Sequence, residues 1–400
     1  MRISNQLQYQ QSLSKMLDIQ AQTAKYQNQI SSGKRIANPS EDPSGSTKAL
    51  QLTERIEGLS QYARNASYVE LRLQHQEGVI SSIEDVMQRV RELTLQGKNG
   101  ALSTSDRRAI AAEIRQHRET LVGLGNTQNE SGEYIFSGMA VDTQPFSNSP
   151  AGNVVYSGDQ TTREIEVGEF RKLRDGFSGY EVFMAIREGN GSFAVDLNPA
   201  NTGSARVVSR MMTDPANFAA ENYRIQFTSA TTYDLYNDTT GTLVAAAQVY
   251  SEDADIAFNG LQVALQGTPA AGDEVTISPA RNVPVFDMLD GVISALESDP
   301  ISSADWAKFH QSTDNFLGDI DQAQENILQV RTAIGARLNG LQIQHDVNET
   351  LDIQLKRARS DIEDVDIAEA VSALVQQTTV LEAAQAAFVR VQGMNLFDLL

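Results

Sequence analysis

Trp306, Phe309, Thr313, Phe316, Ile320, Ala323, Ile327, Val330 and Ile334 follow one another at alternating steps of three and four residues without a slip. A run of this kind fits a helix, since a half-buried strand would step by two. It also demands a partner, because a helix with one narrow apolar stripe is marginal alone in water. Leu341, Leu351 and Leu355 continue the stripe, with polar interruptions at Gln344 and Asn348.

The first part of the chain offers that partner. Leu52, Ile56, Leu59, Ala63, Ala66, Val69, Leu73, Ile80, Ile83, Met87, Val90 and Leu93 keep helical spacing between Ser44 and Gln96. Roughly 50 residues of helix would reach about 75 Å at ~1.5 Å per residue. "GKNGALSTSD" then breaks the pattern, and Ser105 is a candidate cap for a further helix carrying Ile110, Ile114, Leu121 and Leu124. Helices joined by a short loop pack antiparallel, so a bundle closed within one chain accounts for the stripes.

Between about 137 and 285 the period changes to that of strands. "YEVFMAIREGNGSFAVDL" reads as two strands around a Gly-Asn-Gly turn. "TTYDLYNDTTGTLVAA" and "ADIAFNGLQVAL" read as hairpins turning at Asn237-Asp238 and Asn259-Gly260. This segment holds 18 acidic and 9 basic residues, a net of −9, which suits a solvated, outward β-rich domain. The expected fold is therefore mainly α with an inserted β domain: a long antiparallel bundle built from the N- and C-terminal segments, carrying a central β-rich outer domain. The expected divisions are 33–136 with 286–360 for the bundle and 137–285 for the outer domain. Residues 1–32 with 361–400 are expected as terminal assembly helices, disordered in the monomer.

Those terminal segments are unusual. Residues 1–32 hold four charged side chains and 371–400 hold three, about half the density of the whole chain, so neither resembles a solvated tail. Ile3, Leu7, Leu17, Ala21 and Ala24 fall on heptad positions in the first. Ile367, Val371, Leu374, Leu381, Phe388 and Val391 form a similar seam in the second. Both seams are narrow and interrupted by polar residues, as in segments that order only on assembly. Ile3, Leu7, Leu17, Ala24, Val371, Leu374, Leu381, Phe388 and Val391 are the expected subunit-assembly residues.

"SSGKRIANPSEDPSG" (31–45) interrupts the first helical block. Gly33 can end a helix in a left-handed conformation, and Pro39 and Pro43 push the residues before them out of the helical region. The break lets the terminal helix and the long inner helix take different angles. Arg35, Glu41 and Asp42 are the expected inter-subunit contacts of this loop.

Composition closes off several function classes. The formal net charge is −20, so no basic surface is available to displace counterions from a nucleic acid. Cysteine is absent, which removes disulfides and thiolate metal sites. No apolar run approaches the length of a membrane span, and the opening "MRISNQLQYQQSLSKML" lacks the apolar core of a secretory signal. Export, if it occurs, is expected without cleavage of a signal, and no membrane partner is expected.

His75, His117, His310 and His345 all lie in helical stretches and form no HExxH pattern. There is no Gly-x-Ser-x-Gly elbow, phosphate loop or Gly-x-Gly-x-x-Gly. The acidic cluster "SDIEDVD" reads as a helix start capped by Ser360 or Asp361, with acids complementing the dipole, before it reads as a metal site. No catalytic constellation is found. Neither an enzyme nor a cofactor or metal site is expected.

With the break and the C-terminal block both in view, a resemblance emerges. "QISSGKRIANPSEDPSGSTKALQLTERI" resembles the N-terminal signature of the flagellin superfamily. "IGARLNGLQIQHDVNETLDIQLKRARSDIEDVDIAEAVSALVQQTTVLEAAQAAF" is similar to its C-terminal half. Within the superfamily, "NPSEDPSG", "GEYIFSGMAVDTQPF" and the ending "NLFDLL" resemble the hook–filament junction branch more than the flagellins. Asn395 and Leu399 depart slightly from that branch's usual ending.

The resemblance implies an extracellular structural protein of the bacterial flagellum, exported through the flagellar type III apparatus without signal cleavage. It implies a ring of about 11 copies between the first hook-associated protein and flagellin. The implied partners are itself, the first hook-associated protein, flagellin and a flagellar export chaperone. The nearest alternative is a filament-forming flagellin. A more distant one is an exported adhesin or enzyme using the segment 137–285.

Overall fold

The structure, a computed structural model, describes residues 2–150 and 152–393, with the backbone alone at 2–6, 8 and 391–393. Among the described residues are six α-helices: α1 (Arg2–Ser32), α2 (Pro43–Gly97), α3 (Thr104–Gly125), α4 (Val285–Glu297), α5 (Ser303–Glu363) and α6 (Ile367–Gly393). Between α3 and α4 run β1 (Phe146–Asn148), β2 (Val154–Tyr156), β3 (Glu164–Gly168), β4 (Arg171–Arg174), β5 (Ile186–Arg187) and β6 (Phe193–Leu197). They are followed by β7 (Arg206–Met212), β8 (Tyr223–Ser229), β9 (Thr232–Asn237) and β10 (Thr242–Val249). The last four are β11 (Ile256–Phe258), β12 (Leu261–Gln266), β13 (Glu274–Pro279) and β14 (Asn282–Val283). Long terminal helices flanking an antiparallel β-rich centre are the fold class the sequence led us to expect.

The chain divides into two compact units, one of residues up to Arg64 with those from Ile343, the other from Asn65 to Gln342. In the second unit the predicted stripes meet. Leu73, Ile80, Ile83 and Val90 of α2 are fully buried with Ile114 and Leu121 of α3 and Ile320, Ile327 and Ile334 of α5. Helix α4 joins this core through Phe286, Leu289, Val292 and Leu296. Its sequence "VFDMLDGVISALE" places the return to helix at Val285, earlier than the Ser303 start taken from the seam. The cap of α3 is Ser103 and not Ser105. Ser103 and Asp106 form a reciprocal capping box that satisfies two otherwise orphaned amides.

Residues 137–285 divide between two apolar cores. Phe146 and Phe183 pack with Phe136 and Phe286 in the helical core, at ring separations of 5.0 to 5.7 Å. A second core holds Phe193, Val195, Val207, Tyr223, Ile225, Phe227, Val263 and Ile277. It lies between a five-stranded sheet ordered β10-β9-β8-β13-β6 and a three-stranded sheet ordered β11-β12-β7. Strands β8 and β12 alternate buried and half-buried residues, as period-two patterning requires.

The turn at Asn259-Gly260 forms as expected, with φ of +44° and +76°. The "YEVFMAIREGNGSFAVDL" hairpin does not. Tyr180–Met184 is one turn of π-helix, β5 pairs with β14, and β6 pairs with β13, so the two strands enter different sheets. The expected Asn237-Asp238 turn is a longer connection ending at Gly241, whose φ is +69°.

Candidate assembly surface

The first unit holds the terminal helices. α1 and α6 lie antiparallel, with the rings of Tyr9 and Phe388 5.2 Å apart at one end and Tyr26 and Gln29 near Val365 and Ala370 at the other. On α1, Ser12, Met16, Ile19, Thr23, Tyr26 and Ile30 are buried or half-buried, at coiled-coil steps. On α6 the corresponding row is Ala370, Leu374, Gln377, Leu381, Ala384 and Phe388. Thr23 and Thr378 tolerate this seam because their hydroxyls donate to the carbonyls of Ile19 and Leu374 at 2.9 and 2.7 Å.

The expected assembly residues therefore divide. Leu374, Leu381 and Phe388 face α1 within the chain. Leu7 at 56%, Leu17 at 57% and Val371 at 42% are exposed, as is Ala24. Ile3 and Val391 belong to α1 and α6, and their side chains lie outside the described residues. The seam read on α1 is thus the outward face, and the inward one carries more polar residues. Leu13, Ile367, Val375, Val380 and Val389 extend the exposed apolar rows.

Two breaks meet beside this helix pair. Gly33, at φ +70°, ends α1, and Lys34 bridges Asp364 in the gap between α5 and α6. Arg35 donates its amide to the Glu363 carbonyl at 2.6 Å and its guanidinium to the Ile362 carbonyl at 2.7 Å, satisfying two orphan acceptors of α5. Val365 returns an amide to the Gly33 carbonyl at 3.1 Å, and Gln29 donates to the Arg35 carbonyl at 2.7 Å.

Asp42 caps α2, accepting the Gly45 amide at 2.9 Å, with Pro43 at the first helical position. That amide holds the Asp42 carboxyl below its ordinary value, and the Arg35 guanidinium adds to the effect. Glu41 accepts the Ala37 amide at 3.1 Å. All three loop residues expected to reach a neighbour are engaged within the chain. The C-terminal break is likewise capped by Asp366, which accepts the Ala368 amide at 2.9 Å, so α5 runs on through Ser360 and Asp361. The pairing of the breaks joins residues about 330 positions apart, and no local signal could have revealed it.

Among the described residues, no three His, Asp or Glu side chains gather as a metal site, and no helix is long and apolar enough to cross a membrane. The geometry offers apolar rows along paired helices and a cross-braced pivot at their base.

Comparison with known proteins gives this arrangement its context. Profiles of the bacterial flagellin N-terminal and C-terminal helical regions match residues 3–140 and 317–400. A profile of the flagellar hook-associated protein 1 D2-like domain matches 197–279, the span of the β core. Flagellar hook-associated protein 3 of Escherichia coli (strain K12) is 25% identical over 401 residues, covering 100% of this chain and 99% of its own. The crystal structure of Xanthomonas campestris FlgL is 32% identical, covers 77% of this chain and 99% of its own, and superposes with a TM-score of 0.72. A flagellin of Salmonella rubislaw is 30% identical over 246 residues, which are 60% of this chain and 46% of that flagellin.

Proposed function

We propose that this chain, which belongs to the flagellar hook-associated protein 3 (FlgL) family of the flagellin superfamily, forms the ring that joins the hook to the flagellin filament. It is a structural flagellar protein and not an enzyme, as its relatives are. The family belongs to the external flagellum, and the junction position and uncleaved export are part of this proposal.

The observation that carries it is the pair of exposed apolar rows, Leu7 and Leu17 on α1 with Val371 and Val375 on α6. A helix pair left with leucine and valine outward gains stability when further copies cover those rows, since each buried side chain contributes about 1.5–3 kcal/mol. Packing α1–α6 pairs side by side makes the inner wall of a tube, with Ile3 and Val391 extending the seam. The braced loop of Arg35, Glu41 and Asp42 then sets the angle between that wall and the next helical shell, and its outer edge meets the neighbouring subunit. The first hook-associated protein lies on one side of the ring and flagellin on the other, and an export chaperone covers α6 before secretion.

A deletion strain tests this by electron microscopy of its flagella and assay of flagellin in the medium. Bare hooks with shed, unpolymerised flagellin are expected. An intact junction zone lacking only the filament, with no flagellin shed, would instead make this chain the filament subunit. The flagellin reading fits less well, because similarity to flagellin is partial where similarity to the hook-associated protein spans the chain.

A further inference from the structure

Asn-Gly occurs four times in the sequence, at 99–100, 190–191, 259–260 and 339–340. This dipeptide can react with itself. The glycine amide nitrogen attacks the carbonyl carbon of the asparagine side chain, and glycine has no β-carbon to obstruct the approach. Two conditions decide whether the folded chain permits it. The nitrogen must be free of other partners, and the side-chain oxygen must have a donor for the charge it gains.

The four sites differ in both respects. The Gly191 amide donates to the Glu188 carbonyl at 3.1 Å, and the Gly340 amide lies inside α5, where the helix ladder takes it. The Asn259 carboxamide is tied through Nδ2 to the hydroxyl of buried Tyr223 at 2.9 Å. Asn99 stands exposed in the loop between α2 and α3. Among the described residues nothing accepts the Gly100 amide, and a β-carbon built at Gly100 would meet no atom within 4 Å. The Ala101 amide donates to Asn99 Oδ1 at 3.1 Å, which folds the side chain over its own backbone and supplies the donor. Only this site meets both conditions.

We propose that Asn99 is a self-modification site of the folded chain, converted through a ring closed by Gly100. The Gly100 nitrogen loses its proton to hydroxide and bonds to Cγ of Asn99. The Cγ–Nδ2 bond then breaks, and ammonia leaves after taking a proton from water. Water adds to the resulting cyclic imide at either carbonyl. Opening gives aspartate, or isoaspartate in which the main chain runs through the former side chain and is one carbon longer. No oxidant, enzyme or partner copy enters. The Asn99 carbonyl accepts the Leu102 amide at 3.1 Å, so the isoaspartate form disturbs the turn that leads into the Ser103 cap of α3. Because water and time suffice, the converted fraction records the age of the chains.

Mass spectrometry of tryptic peptides tests this, after the purified full chain is incubated at mildly alkaline pH in water enriched in heavy oxygen. The peptide of residues 99–107 should lose ammonia and take up one solvent oxygen. Its conversion should run about tenfold or more faster than that of Asn190, since freeing the Gly191 amide costs about what a tenfold rate change does. In denaturant the two rates should converge. Gly100→Ala has open space and should keep the fold while slowing conversion at Asn99. Gly100→Pro has no N–H and should stop it there, leaving the other sites as they were. A rate ratio that is the same in the folded and the denatured chain, or conversion of Asn99 that persists in Gly100→Pro, overturns the proposal.

Discussion

Arg72 shows what single side chains contribute. Its guanidinium is buried, 2.9 Å from Glu133 and 3.3 Å from Asp175, and the second contact lacks the alignment of a hydrogen bond. Asp175 is 2% exposed and is held again by Arg163 at 2.9 Å. Arg72→Ala leaves Asp175 with one guanidinium where it had two, so unfolding free energy should fall by about 1.5–3 kcal/mol. A chemical denaturation midpoint within error of wild type would contradict this. Asp319 is a second case, facing Glu188, Asp196 and Arg210 and accepting the Gly189 amide at 2.6 Å. Burial pushes its carboxyl up from 3.8 to about 6. A raised folded value means the contribution is complete below 3.8 and is lost as pH rises through about 6. Asp319→Asn should therefore match wild type near pH 3.5 and exceed it above pH 6, by about 1–2 kcal/mol since the half-buried group keeps some solvent. Parallel denaturation curves across that range would show the carboxylate to be neutral in effect.

Among the helices, the terminal pair separates folding from assembly. Leu17 faces solvent, so Leu17→Asp should leave helicity and the melting of the isolated chain unchanged while blocking incorporation into flagella. Phe388 packs on Tyr9, so Phe388→Asp should do more, freeing α1 from α6 as well. Circular dichroism of the monomer with an incorporation assay distinguishes the two, and equal loss of helicity in both would remove the two-face description. Limited proteolysis belongs here too: cleavage of the dilute monomer is expected first at 30–45 and 360–370, with the inner helices resisting, and uncut ends would argue that α1 and α6 are stable unaided. The periods of these helices were legible because apolar steps of three and four survive any environment. Which face turned inward was not. Thr23 fills a seam as well as an alanine would once its hydroxyl is satisfied, and Leu7 and Leu17 look like core to a reader of hydropathy. Helix α4 and the π-turn at Tyr180–Met184 were misjudged for a related reason: short apolar runs carry no decisive period. The bracing of the loop within the chain was not legible either, because Arg35 finds its carbonyl acceptors on a distant helix end.

Across the second unit, the two cores have different relations to the long helices. The helical core uses α2, α3, α4 and α5 through leucine, isoleucine and phenylalanine. The β core touches α5 through polar groups: Gln311 accepts the Val207 amide at 2.7 Å, Arg206 meets Asp314 at 3.1 Å, and Asn315 donates to the Val195 carbonyl at 3.1 Å. Its only covalent tie is a narrow neck where β5 pairs with β14 and the Glu188 amide donates to the Arg281 carbonyl at 3.1 Å. Removing the β core exposes hydrogen-bonding side chains that water can serve, and uncovers little apolar surface. Replacing residues 189–280 by Asn-Gly would turn the neck into an ordinary two-residue hairpin. The shortened chain should unfold cooperatively, with its helical core changed by less than about 2 kcal/mol, the range of most substitutions that leave a core intact. It should also enter flagella, because the terminal rows lie outside the excised segment. Loss of cooperative unfolding would mean that the β core completes the helical one. A folded variant that fails to assemble would move part of the subunit contact onto the outer sheets.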